Sequence, residues 1–347
     1  MRRITIGSAG FLTALLLGFI CNGCNKSDTS PQTSAPPPLT ELRLGYFANI
    51  THAQAVLEVA SGELQTALGP VQLKTKVFNA GPELMQALNA GEIDIGYVGP
   101  GPVISEQAIS HGQAIRVIAG SAANGVIIVA RKDAGIVTMA DLKGKRIATP
   151  QLGNTQDVSA RHYVTAVLGQ ADANNVVPVP NSQQAGLMAV GKIDAAWTPE
   201  PWGERLIDQA GAVLIAEEKD LWPDKQFTLT VVVTTPEFLA AHPDVIQKVL
   251  TVHHSWTQRL QTNPQAYAGQ LGDALSALSD GKKLSAKVLA DSLKRTQFTD
   301  DPLPGTFSTM GQWSADLQFV KAPPDLTGLF ETGIIRQITG ASPATSP

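Results

Sequence analysis

The sequence predicts an α/β protein of two lobes, each a mostly parallel sheet flanked by helices, joined by a two-crossing hinge. A repeat with a spacing of one hundred residues is the first observation behind this prediction. Residues 78–100 read FNAGPELMQALNAGEIDIGYVGP, and residues 178–200 read PVPNSQQAGLMAVGKIDAAWTPE. Sliding one over the other aligns Asp94 with Asp194 and gives both stretches a loop, a helix, a glycine stop and a short strand.

The segments before each copy of the repeat also match in kind. An apolar strand over residues 42–47 leads into a helical pattern over residues 53–68, and a strand over residues 145–149 leads into a helical pattern over residues 157–168. Both halves therefore alternate strands and helices in the same order. Alternation of this kind favours parallel strands with helices on both faces of the sheet.

Two apolar runs are predicted to carry the chain between the lobes. Residues 125–131 would cross from the first lobe to the second, and residues 227–235 would bring the chain back. The predicted lobes are residues 40–125 plus 230–339 and residues 126–229. The helical segments after the second run are expected to pack on the first lobe.

The beginning of the chain is typical of an exported protein. A basic start and an apolar run over residues 4–20 predict a signal peptide over residues 1–24, and the glycine before Cys24 fits lipidation of that cysteine. Residues 25–39 are rich in Pro, Ser and Thr and predict a linker, and residues 340–347 predict a disordered tail. We therefore expect a periplasmic or cell-surface protein held at the membrane through a lipid anchor, with plain secretion as the alternative.

Composition excludes several classes of function. The formal net charge is −4 and no basic run is present, which argues against binding to nucleic acid. The only cysteines are Cys21 and Cys24, so the body of the protein has no thiol nucleophile and no cysteine metal site. No metal or nucleotide motif and no nucleophile elbow is present, so we expect no metal, no cofactor and no enzyme activity. A monomer is expected.

The predicted ligand site lies where the two lobes face each other. Ligands of open parallel sheets bind at the carboxyl ends of the strands, where helices begin with unpaired N–H groups that attract anions. Gly153 allows close backbone approach there, and Asn154 and Thr155 add short donors. The predicted ligand-binding residues are Tyr46, Asn49, Thr51, His52, Gly81, Tyr97, Gly99, Ser121, Asn124, Gly153, Asn154, Thr155, Gln156, Trp197, Glu200 and Thr228.

Plainer explanations exist for several of these residues. Asn154 and Thr155 are also good helix caps, and His52 is also an ordinary first-turn residue. Tyr97 and Trp197 occupy matching repeat positions and are expected to hold a ligand tail between rings, although core packing is the alternative. Glu200 is expected to pair a ligand amine or a residue of the hinge.

Five segments in this order resemble the substrate-binding proteins of ABC importers for sulfonates, taurine, nitrate and related compounds. They are Leu-Gly-Tyr-Phe at 44–47, the stretch at 80–96, Asp-Leu-Lys-Gly-Lys-Arg-Ile-Ala at 141–148, Pro-Glu-Pro-Trp at 199–202 and Glu-Lys-Asp-Leu-Trp-Pro at 218–223. The resemblance implies the type II periplasmic-binding fold and delivery of a small anion to an ABC permease with its ATPase.

Several ligands are compatible with that resemblance. An aliphatic sulfonate or taurine-like anion, held by hinge closure, is the function we expect first. Nitrate, bicarbonate, a phosphonate or a pyrimidine precursor remain alternatives, as do an enzyme or a ligand-binding sensor on the same scaffold.

Overall fold

The computed structural model describes residues 39–279 and 281–341. The predicted signal peptide with Cys24, the linker up to residue 38 and the tail from residue 342 lie outside the described residues. Within the described part, no helix is both long and apolar enough to span a bilayer.

Eleven strands of the described chain form two sheets. The six-stranded sheet has the order β11-β4-β10-β3-β1-β2 and the five-stranded sheet the order β7-β6-β8-β5-β9. We call the first sheet with its helices lobe I, and the second sheet with its helices lobe II. The strands are β1 Glu41–Phe47, β2 Gln72–Phe78, β3 Ile95–Val98, β4 Arg116–Asn124, β5 Val126–Ala130, β6 Ile147–Thr149, β7 Val176–Pro178, β8 Ala195–Pro199, β9 Val213–Glu217, β10 Thr228–Thr234 and β11 Thr296–Phe298.

The two-lobed α/β fold is confirmed, but each sheet is mixed and not mostly parallel. Strand β1 pairs in parallel with β2 and β3, and β6 pairs in parallel with β7 and β8. Strands β10 and β5 are antiparallel to both of their neighbours. Each of these two strands begins directly after a crossing and therefore runs away from the hinge. Its direction is thus opposite to that of β1 and β3 in lobe I, or of β6 and β8 in lobe II.

Helices cover both faces of the sheets. In lobe I, α9 packs against α1, α2 and α13, whereas α12 packs against α4 and also against α5 of lobe II. The helices are α1 Ala53–Ala60, α2 Glu63–Leu68, α3 Gly81–Asn89, α4 Pro100–Ile109, α5 Thr155–His162, α6 Asn181–Ala189, α7 Trp202–Ala210, α8 Pro236–Ala241, α9 Pro243–Thr262, α10 Ala268–Leu278, α11 Ala286–Arg295, α12 Pro304–Asp316 and α13 Gly333–Thr339.

The chain passes between the sheets at two neighbouring points. Strand β4 ends at Asn124 and β5 begins at Val126, so Gly125 alone makes the first crossing. Gly125 has a φ of +74°, and a Cβ there would lie 2.7 Å from Thr296 Oγ1, so only glycine fits. Phe227 precedes β10 on the return, and its N–H donates to Asn124 Oδ1 at 3.4 Å. The two crossings therefore lie side by side, as a hinge requires.

A hydrophobic cluster extends across the two lobes beside the hinge. Trp222 of lobe II stacks on Phe227 with ring centroids 5.1 Å apart and lies 4.6 Å from the ring of Trp313 on α12. Trp313 also stacks on His162 at the end of α5, with centroids 4.2 Å apart. Apolar burial on this side stabilises the contact between the lobes.

Candidate functional site

A small cavity lies between the lobes, where strands β1 and β3 of lobe I and β6 and β8 of lobe II end. Its volume is about 30 Å³, and the described residues that line it include no lysine, arginine, aspartate or glutamate. The lining residues are Phe47, Asn49, Thr51, His52, Asn79, Ala80, Gly81, Gly99, Pro102, Pro150, Asn154, Thr155, Gln156, Asn181, Pro199, Leu229 and Thr230.

Four helices begin at this cavity. The first residue or the N-cap of α3 and α4 in lobe I, and of α5 and α6 in lobe II, belongs to its lining. Each of these helices has at least eight residues. Free N–H groups and the positive end of the helix dipole therefore approach the cavity from both lobes, which favours an anion.

Glycines let the lobes touch at the cavity. The Gly101 N–H of lobe I donates to Thr155 Oγ1 of lobe II at 3.2 Å. A Cβ on Gly99 would lie 2.2 Å from Thr155 Oγ1, and a Cβ on Gly101 would lie 2.9 Å from the Thr155 backbone nitrogen. Any larger residue at these two positions would push the lobes apart, so the structure is the closed form of the cleft.

Two threonine hydroxyls of the lining lack partners. Thr51 and Thr230 are buried, and among the described residues neither Oγ1 has a hydrogen-bond partner. A buried hydroxyl without a partner costs about 1–3 kcal/mol in desolvation. Both hydroxyls lie on the cavity wall, where a bound oxyanion would accept hydrogen bonds from them.

His52 is a neutral donor at the cavity wall. Burial lowers the pKa of His52 to about 3, so the ring carries no charge at neutral pH. Its Nδ1 accepts from the Phe47 N–H at 3.4 Å, which assigns the ring proton to Nε2. His52 thus contributes an N–H group and no formal charge.

The segment that begins α5 both caps its helix and lines the cavity. Asn154 Oδ1 accepts from the Asp157 N–H at 2.9 Å, and Asn154 Nδ2 donates to Gln156 Oε1 at 2.9 Å. The Asp157 carboxylate is turned into lobe II, where it accepts from Thr149 Oγ1 at 2.7 Å and Arg161 Nε at 2.8 Å. An anion in the cavity therefore does not face the Asp157 charge directly.

Half of the residues predicted from the sequence line the cavity. These are Asn49, Thr51, His52, Gly81, Gly99, Asn154, Thr155 and Gln156. Their part in binding a ligand stays a prediction.

The three predicted aromatic residues lie in the core and not in the cavity. Tyr97 lies within β3, where its hydroxyl contacts His253 Nδ1 at 2.8 Å and donates to Glu58 Oε1 at 3.2 Å. Trp197 lies within β8, and its Nε1 donates to Glu218 Oε2 at 2.6 Å. Tyr46, on β1, is 1% exposed. Residues inside a strand point to its two faces and so reach the helices, whereas the cleft lies beyond the strand ends.

Two further predicted residues, both inside strands of lobe I, make contacts away from the cavity. Ser121 Oγ donates to Gln54 Oε1 at 3.0 Å. Thr228 Oγ1 donates to the Pro302 carbonyl at 2.5 Å, and its N–H donates to Thr306 Oγ1 at 2.9 Å. Their hydroxyls are satisfied within lobe I.

The remaining three predicted residues hold the backbone next to the cavity. Asn124 stands at the first crossing, with a φ of +61°. Gly153 has a φ of +75°, and its N–H donates to Asp157 Oδ2 at 3.0 Å. Glu200 is buried against Arg295 and forms part of the junction between the lobes.

Several lining residues escaped the sequence analysis. Asn181 is the clearest case, since the repeat aligns it with Gly81 at the start of the matching helix. Asn79 lies two residues before α3, the matching helix of lobe I. Thr230 is the third residue of β10 and is hidden in an apolar run, where no local signal distinguishes it.

The comparison with known families agrees with this geometry. A family model described as the NMT1-like family matches residues 35–272, which is more than half of the chain. The chain belongs to the NMT1-like family. The resemblance to the ABC-importer substrate-binding proteins for sulfonates, taurine and nitrate is thereby confirmed.

Two of the individual proteins similar to this NMT1-like chain carry the names of binding proteins. A Bacillus subtilis (strain 168) protein named as an aliphatic sulfonates-binding protein is 25% identical over 317 residues, with 89% of each chain covered. The periplasmic nitrate-binding protein NrtA of Synechocystis PCC 6803 has a TM-score of 0.72 at 14% identity, covering 88% of this chain and 90% of that one.

An enzyme shares the fold as well. The desulfurization enzyme DSZB has a TM-score of 0.61 at 14% identity, covering 86% of this chain and 99% of that one. At such identities the similarity establishes the fold alone.

Proposed function

We propose that this NMT1-like protein is the extracytoplasmic substrate-binding component of an ABC importer. It captures a small organic anion, an aliphatic sulfonate or a taurine-like compound, between its lobes and delivers it to a permease. The observation that carries the proposal is the meeting of helix N-termini from both lobes at one uncharged cavity. Lipidation of Cys24, a periplasmic or cell-surface location at the membrane and a monomeric state belong to the same proposal.

The donors of the cavity are sufficient for useful affinity. Each hydrogen bond to a charged group contributes about 1.5–3 kcal/mol net. Three or four such bonds, less the cost of association, give a dissociation constant on the order of micromolar. Thr51, Thr230 and Thr155, together with the His52 ring, provide four donors besides the backbone.

An adjoining groove favours an anion with a tail. The groove has a volume of about 330 Å³ and shares Asn49, Asn79 and Asn181 with the cavity. Its other walls include the apolar side chains of Val77, Phe78, Trp202 and Leu278. An oxyanion head in the cavity would place a short tail among these side chains. The described residues of the groove wall include no carboxylate, which favours an uncharged tail over the ammonium group of taurine.

A compact inorganic anion is the second candidate. The cavity alone, at about 30 Å³, has little room for more than a few atoms. This volume favours nitrate or bicarbonate if the groove has no part in binding.

An enzyme on the same scaffold is the rival from another class. Within the described part of the chain, the cavity lining has no carboxylate and no cysteine, and its histidine is neutral. These side chains are suited to holding an anion and provide no strong nucleophile.

Titration calorimetry with ethanesulfonate, taurine, nitrate, bicarbonate, methylphosphonate and a pyrimidine tests the proposal. We expect ethanesulfonate to bind most tightly, and the variant Thr230→Val to weaken its binding about tenfold, because one charged hydrogen bond is lost. Thr251→Val, on the exposed face of α9, is the matched control and should leave the affinity unchanged. Nitrate binding without sulfonate binding would select the second candidate, and binding of no anion would refute the proposal.

A further inference from the structure

A cluster of charged side chains joins the two lobes next to the cavity residue Pro199. Glu200 of lobe II is completely buried there. Its carboxylate accepts from the Glu204 N–H at 3.1 Å and from Ser292 Oγ at 3.0 Å, and lies 3.2 Å from Arg295 Nη1. Ser292 and Arg295 belong to α11, which leads directly into β11 of the lobe I sheet. The carboxylate of Glu200 thus bridges the lobes.

The backbone of Glu200 bridges the same two lobes. Its N–H donates to the carbonyl of the hinge residue Gly125 at 2.9 Å. Its carbonyl accepts from the Ile50 N–H at 3.0 Å. Ile50 lies between Asn49 and Thr51, both of which line the cavity. A shift of Glu200 therefore moves the cavity wall of lobe I relative to lobe II.

The guanidinium of Arg295 lies close to three carboxylates in this cluster. Arg295 forms ion pairs with Glu200 and Glu204, and its Nε lies 3.5 Å from Glu217 Oε1. Glu204 is almost completely shielded from solvent, whereas the side chain of Arg295 is 16% exposed. Among the described residues, Lys287 lies 3.9 Å from Glu204 and is mostly exposed. Asp291 is paired with Lys287, and Lys219 is paired with Glu217. The buried part of the cluster has more negative than positive charge when all its acids are ionised.

We propose that Glu200 and Arg295 form a clamp that sets the balance between the open and closed lobes and thereby positions residues 49–52 of the cavity wall. Arg295 touches no cavity atom and is a positioning residue. The link to ligand capture depends on the proposed function, but the clamp itself acts on lobe closure and exists without a ligand.

The clamp has a defined dependence on pH. Burial raises the pKa of Glu200 to about 7, so the closed form binds this proton more tightly than a solvated carboxylate does. For an acid with a raised pKa, the stabilising contribution is complete below its ordinary pKa and is lost as the pH rises through the raised value. The closed form is therefore more populated at pH 6 than at pH 8.

Spin-label distance measurements test the clamp without any ligand. The full chain would carry Cys21→Ser and Cys24→Ser, with labels at the exposed positions Lys74→Cys in lobe I and Lys143→Cys in lobe II. Arg295→Gln should shift the distance distribution away from that of the parent protein, and Arg295→Lys should restore part of it. A distribution unchanged by Arg295→Gln would overturn the proposal.

The matched control is Arg259→Gln, which breaks an ion pair with Glu63 inside lobe I and should leave the distances unchanged. A second variant, Glu200→Gln, keeps the shape of the side chain and removes its proton equilibrium. It should stay closed and show the same distances at pH 6 and pH 8, whereas the parent protein should open at pH 8. If Glu200→Gln keeps the pH response, or the parent protein has none, Glu200 is not the titrating group of the clamp.

Ligand affinity then separates the clamp from the proposed function. Arg295→Gln should weaken ethanesulfonate binding about tenfold, within the range of typical coupling between sites. If the parent protein binds none of the anions tested, the proposed function fails, and the distances still decide the clamp. If the distances shift and the ethanesulfonate affinity does not, the clamp does not position the cavity wall.

Discussion

The two repeat units of the molecule use one structural device twice. In lobe I, Asp94 accepts from the N–H and the guanidinium of Arg43, which also donates to the Gly91 carbonyl. In lobe II, Asp194 accepts from the N–H and guanidinium of Arg146, which donates to the Gly191 carbonyl. Both glycines have a φ of +66°. The repeated G-x-I-D motif is thus a fixed joint between a helix end and the first strand of its unit.

The aromatic positions of the repeat are alike in a second way. Tyr97 and Trp197 are both buried, and each places its polar tip on a buried glutamate, Glu58 or Glu218. Burial raises the pKa of Glu58 to about 8 and that of Glu218 to about 7. The shared joint and the shared aromatic site both serve the folding of each lobe.

The units differ at the cavity, where function is expected. Gly81 begins α3 in lobe I, whereas Asn181 begins the matching helix α6 in lobe II. Eleven of the lining residues belong to lobe I and six to lobe II. Lobe I therefore contributes the larger part of the cavity lining, and under the proposed function a ligand would bind there before lobe II closes over it. The comparison teaches that the two repeat units share the contacts that stabilise each lobe, and differ in the residues that begin the helices at the cavity.

The largest expected effect on ligand affinity comes from breaking the contact between the lobes. Gly101→Ala places a Cβ 2.9 Å from the Thr155 backbone, so the cleft cannot close fully. We expect ethanesulfonate affinity to fall at least 30-fold, about 2 kcal/mol. Calorimetry measures this, and Gly186→Ala, where a Cβ meets no atom within 4 Å, is the control. Equal affinity in both variants would mean that closure does not contribute to binding.

The next effect separates the two joints of the repeat. Asp194→Asn should lower the free energy of unfolding by about 3 kcal/mol, because Asp194 pairs with both Arg131 and Arg146. Asp94→Asn should cost about 2 kcal/mol, because Asp94 pairs with Arg43 alone. Urea unfolding compares the two, and a larger loss in Asp94→Asn would contradict the argument.

The Asp194 joint also predicts a pH response. Hydrogen bonds from Arg146 hold the pKa of Asp194 well below its usual range. The stabilisation is present above the pKa of the unfolded chain, about 4, and is lost as the pH falls towards the lowered folded value. Repeating the urea curves between pH 7 and pH 3 should show the Asp194→Asn variant losing less stability on acidification than the parent protein.

A smaller effect on stability tests whether Tyr97 belongs to the core of lobe I or to the ligand site. Tyr97→Phe removes the hydroxyl that contacts Glu58 and His253, and should destabilise the protein by about 1–2 kcal/mol. Because Tyr97 does not line the cavity, ligand affinity should stay the same. Thermal unfolding and calorimetry of the same preparation decide the matter. If Tyr97→Phe lowers the ligand affinity and leaves the stability unchanged, Tyr97 takes part in ligand binding.

The smallest effect concerns the groove. Leu278→Ala removes apolar surface from one wall and should weaken butanesulfonate binding by about 1 kcal/mol, roughly fivefold. Methanesulfonate, which has no tail to reach this wall, should be unaffected. A uniform loss for both ligands would show that the groove does not select the tail.

The sequence predicts the frame better than the site. Repeat spacing and the alternation of elements predict the two lobes, and the helix starts at residues 49–52 and 153–155 do meet at one cavity. Strand direction is not encoded in such patterns, so the reversal of β5 and β10 is seen only in the folded structure. Tyr97 and Trp197 lie within their strands and not past the strand ends, and a difference of two residues in a strand boundary moves a side chain from the cleft to the core.

The uncharged lining has a consequence for the conditions under which capture works. Fixed dipoles of helix starts and hydroxyls act over a few ångströms inside a closed cavity, where mobile counterions do not enter. The dissociation constant for the anion should therefore change little between dilute and concentrated salt. Such a protein would bind its anion equally well in fresh and brackish water. A binding protein that depends on surface lysines would lose affinity as the salt concentration rises.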